Sequence, residues 1–188
     1  MKVLFVCTGN ICRSPMGELL FPKFFDGEDL VVDSAGTQGL IDHEIDPSSR
    51  KLLESDGIDS SKFRSKRLTP QLAKDSDLIL CFTKNQQRQI ASVAPTAAKR
   101  TATVSDFAAM CDYCAKEGMI SGSTLDERIA SVLDNASMIR PMLPPSADIK
   151  DPYRKEFEVF EQAHEELGAA IATIADSVLP KKGHHRAA

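Results

Sequence analysis

The feature that most constrains this chain is a short apolar run that passes directly into a polar turn and a helix start. Residues 2–6, Lys-Val-Leu-Phe-Val, are aliphatic and aromatic with almost no polar alternation. That is the pattern of a strand buried on both faces, as in a parallel sheet. Cys7-Thr8-Gly9-Asn10-Ile11-Cys12-Arg13 follows as a turn-forming stretch, then Ser14 and Pro15. Ser is a good helix N-cap and Pro a good first helical residue. Met16, Leu19, Leu20 and Phe24 then fall on one apolar face.

The alternation continues along the chain. Leu30-Val31-Val32 reads as a second strand running into Ser34-Ala35-Gly36-Thr37. Residues 47–56 read as a helix opened by Pro47 and stopped by Gly57. Asp77–Phe82 is another buried-strand pattern, about Asn85 to Val93 a polar helix, and Thr101–Val104 a short strand. A final helix, about Tyr153 to Leu179, carries Phe157, Phe160, Leu167, Ile171 and Ile174. Strands alternating with helices predict an α/β fold with a parallel sheet. The 188 residues suit a single domain over 1–180. Within it, 106–147 is expected to be a helical insertion, with a helical stretch at 124–140 and a Pro141-Pro144-Pro145 loop leading to Asp148–Asp151. The last residues, 181–188, read as a frayed tail.

Composition narrows the function classes. A formal net charge of −4 argues against a general affinity for nucleic acid or anionic membrane, so an anionic substrate needs a local positive site. The Lys66-Arg67 pair is too small for a nucleic-acid patch, and no stretch has the length of a transmembrane helix. Five cysteines, an odd number, without a secretory leader, point to a reducing cytoplasm. Cys111-x-x-Cys114 invites a zinc or redox reading, but no second close Cys/His pair accompanies it. Two ordinary cysteines on a helical or irregular segment is the simpler reading. His184-His185 reads as tail polarity and His43 as a loop residue.

The spacing Cys7, five residues, Arg13-Ser14 carries the chemistry. Between a buried strand and a helix start, such a segment can curl so that several backbone N–H groups point inward and bind an anion. Arg13 adds a planar fork that grips two phosphate oxygens, which Lys would not reproduce. The same positive environment favours a thiolate at Cys7. One loop thereby supplies nucleophile and anion cradle; otherwise Cys7 is a small buried hydrophobe and Arg13 a surface residue. A phosphomonoester also needs an acid to protonate the departing oxygen. Asp151, in Asp148-Ile149-Lys150-Asp151-Pro152-Tyr153, is the best candidate, because Pro152 keeps it out of helical geometry. In a second half-reaction it would accept a proton from water. Its plain alternative is an N-cap of the last helix, and Asp148 is a rival acid. Tyr153 would form one wall of an aromatic slot.

Val6-Cys7-Thr8-Gly9-Asn10-Ile11-Cys12-Arg13-Ser14-Pro15 resembles the phosphate-binding loop of the low-molecular-weight protein tyrosine phosphatases. Ser34-Ala35-Gly36-Thr37, the Asp77–Leu80 strand and Asp151-Pro152-Tyr153 resemble the family's other markers, in order. The resemblance covers about 1–95 and 148–178. It implies a flavodoxin-like four-stranded parallel sheet with helices on both faces, no metal or other cofactor, and a phosphocysteine intermediate. By residue, it implies Cys7 as nucleophile, Arg13 as transition-state clamp and Asp151 as acid then base. Thr8, Gly9, Asn10, Ile11, Cys12, Arg13 and Ser14 would form the phosphate cradle. Asn10 would hold strained loop geometry with support from Ser34, and Ser14 would donate to the Cys7 sulfur. Cys12 matches a position that can form a reversible disulfide with the nucleophile, guarding it from irreversible oxidation; a small residue facing the cradle is the alternative.

Tyr153-Arg154 after Asp151-Pro152 is closer to bacterial relatives, whose phosphotyrosine protein substrate would be a tyrosine kinase of polysaccharide export. A monomer or weak dimer is the expected assembly. Two rivals stand beside this reading. A thiol-coupled arsenate reductase uses a similar fold and cysteine loop, but needs further cysteines to relay electrons. Cys81 lies near the relevant strand end, with no cysteine soon after it. An inactive phosphoprotein-binding relative would keep the cradle and lose turnover.

Overall fold

The structure is a computed structural model and describes residues 1–181, so the tail from 182 onward, with His184-His185, lies outside the described residues. Strand β1 (Lys2–Cys7) is buried from Val3 onward, with Val3, Phe5 and Cys7 in one core and Leu4 and Val6 in another. This two-sided burial is what the unalternating run predicts. β1 pairs on one side with β2 (Val31–Gly36) and on the other with β3 (Leu78–Cys81); β4 (Thr101–Thr103) lies beyond β3. All pairings are parallel, in the order β2-β1-β3-β4, with Cys7 opposite Gly36 and Val6 opposite Cys81. The chain leaves β1 for one neighbour and returns to the other. The carboxyl end of β1, where Cys7 sits, is therefore the switch point at which open α/β sheets bind ligands.

The larger core is closed by α1 (Arg13–Leu20), α2 (Pro47–Ser55), α5 (Val104–Lys116), α6 (Leu125–Ile139) and α7 (Phe157–Val178). The smaller is closed by α3 (Pro70–Lys74) and α4 (Lys84–Val93). The fold is flavodoxin-like, with helices on both faces of the sheet. Phe5 is fully buried and meets Phe21 edge to face at 5.6 Å; burying such a side chain contributes about 1.5–3 kcal/mol. A Cβ on Gly17 would come within 2.4 Å of the Phe5 ring, so only glycine lets α1 lie this close to β1.

Four local expectations are corrected. α1 begins at Arg13 rather than after Ser14, and its N-cap, Cys12, makes no side-chain cap bond; the Ser14 hydroxyl is engaged at Cys7 instead. α7 begins at Phe157 rather than near Tyr153, because Arg154 adopts a φ of 59°, a left-handed conformation that no helix continues. Asp151 is therefore not the cap of α7; Glu156 holds that position without a side-chain bond. α3 was not anticipated, although Thr69-Pro70 is a cap followed by a first-turn proline. The 106–147 stretch is covered by α5, which starts directly after β4, by α6, and by a 3-10 turn at Arg140–Met142. A Thr124/Glu127 capping box opens α6. Cys111 and Cys114 lie buried in α5, within the larger core.

Candidate active site

After β1 the chain forms a tight loop whose carbonyls are drawn outward by neighbouring donors. The N–H of Thr37 donates to Cys7 O at 2.9 Å, that of Gln38 to Thr8 O at 3.0 Å, and that of Leu40 to Gly9 O at 3.3 Å. The N–H of Asp46 donates to Ile11 O at 2.9 Å, and the Ser49 hydroxyl to Cys12 O at 3.1 Å. In a trans peptide the C=O and the following N–H point opposite ways. Carbonyls fixed outward therefore turn the amides inward. Among the described residues, the N–H groups of Gly9, Ile11 and Cys12 donate to no acceptor, while that of Asn10 reaches Cys7 Sγ at 3.3 Å. With the N-terminus of α1 behind them, these amides form an anion nest.

Asn10 makes the sharp turn possible. Its φ of 58° lies in the left-handed region, which Asn tolerates better than most residues. Its side chain holds the turn from three sides: Nδ2 donates to Ser14 Oγ at 2.8 Å and to Ser34 Oγ at 2.9 Å, and Oδ1 accepts from the N–H of Lys66 at 2.8 Å. Ser14 Oγ accepts from Asn10 and keeps its hydrogen free to point at Cys7 Sγ, 3.0 Å away. Likewise the Ser34 hydroxyl accepts from Asn10 and donates to Glu18 Oε1 at 3.0 Å. Burial pushes the Glu18 carboxyl up to about 7, with the nearby Asp33 carboxylate adding to the rise. The Cys12 thiol is pushed well up by burial and then by Asp46, so it stays protonated.

Arg13 is 3% exposed and its guanidinium has three distinct environments. Nη1 donates to Ile149 O at 2.9 Å, and Nη2 stands 3.7 Å from Asp151 Oδ2. Nε is buried with no hydrogen-bond partner. The plane lies 5.8 Å from the Phe82 ring centroid. An unpartnered buried donor costs about 1–3 kcal/mol, so the Nε–Nη2 edge is suited to an acceptor that arrives from outside. A bidentate oxyanion fits that edge.

Asp151 is 53% exposed, and its Oδ1 accepts from the N–H of Tyr153 at 3.1 Å in a local turn. Asp148, the rival acid, has Oδ1 committed to the N–H of Lys84 at 3.0 Å, at the start of α4. Tyr153 is exposed at the rim, with the Arg154 guanidinium 5.1 Å from its ring centroid. The structure thus brings Cys7, Arg13, Ser14, Asn10, Ser34 and Asp151 together at the carboxyl end of the sheet around β1.

Some contacts were not foreseen. Leu40 and Ile41 are exposed apolar residues on the segment bonded to Gly9 O. Gln86 Nε2 donates to Thr8 Oγ1 at 3.2 Å, while its Oε1 caps α4 by accepting from the N–H of Phe82 and Thr83. The Thr83-x-x-Gln86 spacing is a readable capping-box signal. Glu18 carried no signal, since only the folded sheet places it beside Ser34.

The model of the low molecular weight phosphotyrosine protein phosphatases matches residues 2–118. The chain belongs to that family. A Klebsiella pneumoniae protein carrying the family's name is 34% identical over 158 residues, 84% of this chain and 83% of its own length. The low molecular weight protein-tyrosine-phosphatase Etp of Escherichia coli K12 is 29% identical over 163 residues, 87% of this chain and 84% of its own. Among solved structures, the tyrosine phosphatase Wzb of Escherichia coli K30, in complex with sulphate, superposes with a TM-score of 0.69 at 27% identity. That match covers 93% of this chain and 96% of Wzb. The YwlE arginine phosphatase of Geobacillus stearothermophilus superposes with 0.68 at 26% identity, covering 93% and 90%. One low molecular weight phosphatase fold therefore serves relatives named for two different phosphorylated side chains.

Proposed function

We propose that the chain hydrolyses phosphotyrosine in proteins through a phosphocysteine intermediate, with no metal. The observation that carries this reading is the buried Arg13 edge, unpartnered at Nε, beside Cys7 and 3.7 Å from Asp151. The phosphate oxygens would take the inward amides of residues 8–14 and the Arg13 Nε–Nη2 edge. These donors neutralise the charge that a metal would otherwise meet. Cys7 sulfur attacks phosphorus, and the tyrosine oxygen leaves as Asp151 protonates it. Water then attacks the phosphocysteine while Asp151 takes its proton, and the Ser14 hydroxyl supports the departing Cys7 thiolate. Asn10 and Ser34 keep the cradle in shape. Tyr153, with Leu40 and Ile41, would line the slot for the aromatic ring.

Cys12 is the expected partner of an oxidised Cys7, and its protonated thiol leaves Cys7 as the sulfur that reacts first. No helix among the described residues is long and apolar enough to cross a membrane; we place the enzyme in the cytoplasm as a monomer or weak dimer. Its substrate would be a tyrosine-phosphorylated protein, such as a bacterial tyrosine kinase. An arsenate reductase would need a relay thiol. Cys81 serves poorly: it is fully buried in β3, and desolvation pushes its thiol up to about 12.

The test is phosphate release from a phosphotyrosine peptide and a phosphoarginine peptide, and arsenite formation from arsenate with thiol donors, in EDTA, by the wild type and Cys7→Ser. Release from phosphotyrosine alone, lost in Cys7→Ser, is expected. Preference for phosphoarginine would move the substrate assignment, and turnover of arsenate alone would overturn it.

A further inference from the structure

The acid side of the site is held by contacts that the phosphate loop does not supply. Residues 143–153 contain no helix or strand. Their path is set by four bonds: the N–H of Ser146 donates to Asp106 Oδ1 at 3.1 Å, and that of Lys84 to Asp148 Oδ1 at 3.0 Å. The N–H of Ile149 donates to Phe82 O at 2.9 Å, and Arg13 Nη1 to Ile149 O at 2.9 Å. Lys84 Nζ closes an ion pair with Asp106. Lys84 opens α4 and Asp106 lies in the first turn of α5, so this pair ties together the two helices that follow β3 and β4. The Asp106 side chain then holds the acid loop at Ser146, and the backbone N–H of Lys84, fixed where its side chain is paired, holds it at Asp148.

We propose that Lys84 and Asp106 are positioning residues for the general acid, clamping the 146–149 segment so that Asp151 meets the departing oxygen. This rests on the reading of Asp151 as the acid. Asp151 itself is half exposed and has only a local turn bond and a 3.7 Å ion pair to hold it. A segment without secondary structure opens readily unless tied from outside, and small displacements of a catalytic group are expensive in rate. The Lys84–Asp106 pair is only part-exposed, its carboxylate also accepts the Ser146 N–H, and the Lys84 backbone donates to Asp148, which sets it apart from a free surface pair. It also gives the first turn of α5, which opens the α5–α6 stretch, a role in the reaction.

The test measures kcat/KM for a series of aryl phosphates, from dinitrophenyl to phenyl, in the wild type, Asp106→Asn, Lys84→Met, their double variant, Lys84→Arg and Asp151→Asn. Because kcat/KM reports the step up to phosphocysteine formation, its dependence on the leaving group reads the acid directly. Asp106→Asn and Lys84→Met are each expected to lose about tenfold on phenyl phosphate and less than about twofold on dinitrophenyl phosphate, which leaves without help. The double variant should be no worse than the singles, since both break one clamp, and Lys84→Arg should keep the wild-type slope. The ratio of rates on two substrates in one sample does not depend on how much of the protein is folded, so a stability defect alone leaves it unchanged. Equal losses on both substrates, or additive losses in the double variant, would overturn the clamp. If Asp151→Asn steepens the dependence and the clamp variants do not, the clamp alone falls. If Asp151→Asn shows no such dependence, the acid assignment falls and takes the clamp with it.

Discussion

The two sides of the site are built on opposite plans. The nucleophile side, Cys7 to Ser14, is one contiguous segment between a strand and a helix, and Cys7, Asn10, Cys12, Arg13 and Ser14 are all buried. Its key contacts span few residues in the chain: Ser14 to Cys7, Asn10 to Ser14, Asn10 to Cys7. The acid side is a structureless segment tied to β1's loop, to the end of β3 and to the starts of α4 and α5, with Asp151 itself 53% exposed. Chemistry explains the contrast. On the proposed mechanism, the nucleophile and the cradle bind a phosphoryl group most strongly where bulk water is kept out. The acid must later accept a proton from incoming water, and that step requires access to solvent.

If the buried side acts as a fixed electrostatic mould, its charge geometry should matter most. Arg13→Lys keeps a positive charge but loses the fork, and the bond to Ile149 O that holds the acid loop. We expect kcat/KM on phosphotyrosine peptide to fall about 10²–10³-fold, the scale of losing a preformed oxyanion donor. Steady-state kinetics and binding of inorganic phosphate would check it; losses under tenfold in both would mean that Arg13 provides charge alone and that the cradle amides dominate.

The exposed side should fail more selectively. Asp151→Asn is expected to slow phenyl phosphate about 10²-fold or more and dinitrophenyl phosphate far less, because general acid catalysis contributes about 10²–10⁴-fold only where the leaving oxygen needs the proton. The same variant should slow hydrolysis of the phosphocysteine, seen with dinitrophenyl phosphate as an initial burst of dinitrophenol. A uniform loss on both esters would instead make Asp151 a structural partner of Arg13, and the contrast between the two sides would collapse.

The same contrast governs what could be seen in the sequence. The strand, loop and helix start were legible because the pattern that signals them lies within residues 2–20, although the bonds that fix the loop come from residues 34–66. Asp151-Pro152-Tyr153 was legible as a motif, yet its attachments were not. Lys84 and Asp106 are ordinary helix-start residues until the pairing of β3 with β4 brings the starts of their helices together at the carboxyl end of the sheet, although the helices cover opposite faces. Leu40 and Ile41 carry no signal in the sequence, and only the bond from Leu40 N–H to Gly9 O sets them beside the loop. Two helix starts were misplaced for local reasons that override propensity. Ser14 is diverted to the Cys7 sulfur, and Arg154 is left-handed.

The smallest effect concerns the outer end of the buried network. Glu18 accepts the Ser34 hydroxyl, and its carboxyl titrates near 7 in the fold against 4.5 as an ordinary glutamate, chiefly because it is buried. A carboxyl with a raised folded value holds a proton that the unfolded chain has already released. Its contribution to stability is therefore complete below about pH 4.5 and is lost as pH rises through about 7. Above that, the fold keeps a poorly solvated carboxylate, relieved in part by Lys66, which pairs with Asp33 at 2.6 Å. Glu18→Gln keeps an acceptor for Ser34 and removes the charge. The variant should match the wild type near pH 4.5 and exceed it above pH 7 by on the order of 2 kcal/mol, or about 4–8 °C in Tm for a chain of this length. Thermal melts across pH 4.5–8 would check this, with turnover measured alongside. We expect kcat to change less than about threefold, because the direction of the Ser34 hydroxyl, and through Asn10 that of Ser14, needs an acceptor at position 18 rather than a charge. A large loss of kcat with unchanged stability would reverse that conclusion: the carboxylate would then belong to the electrostatics of Cys7, and the buried side would extend one residue further than its hydrogen bonds require.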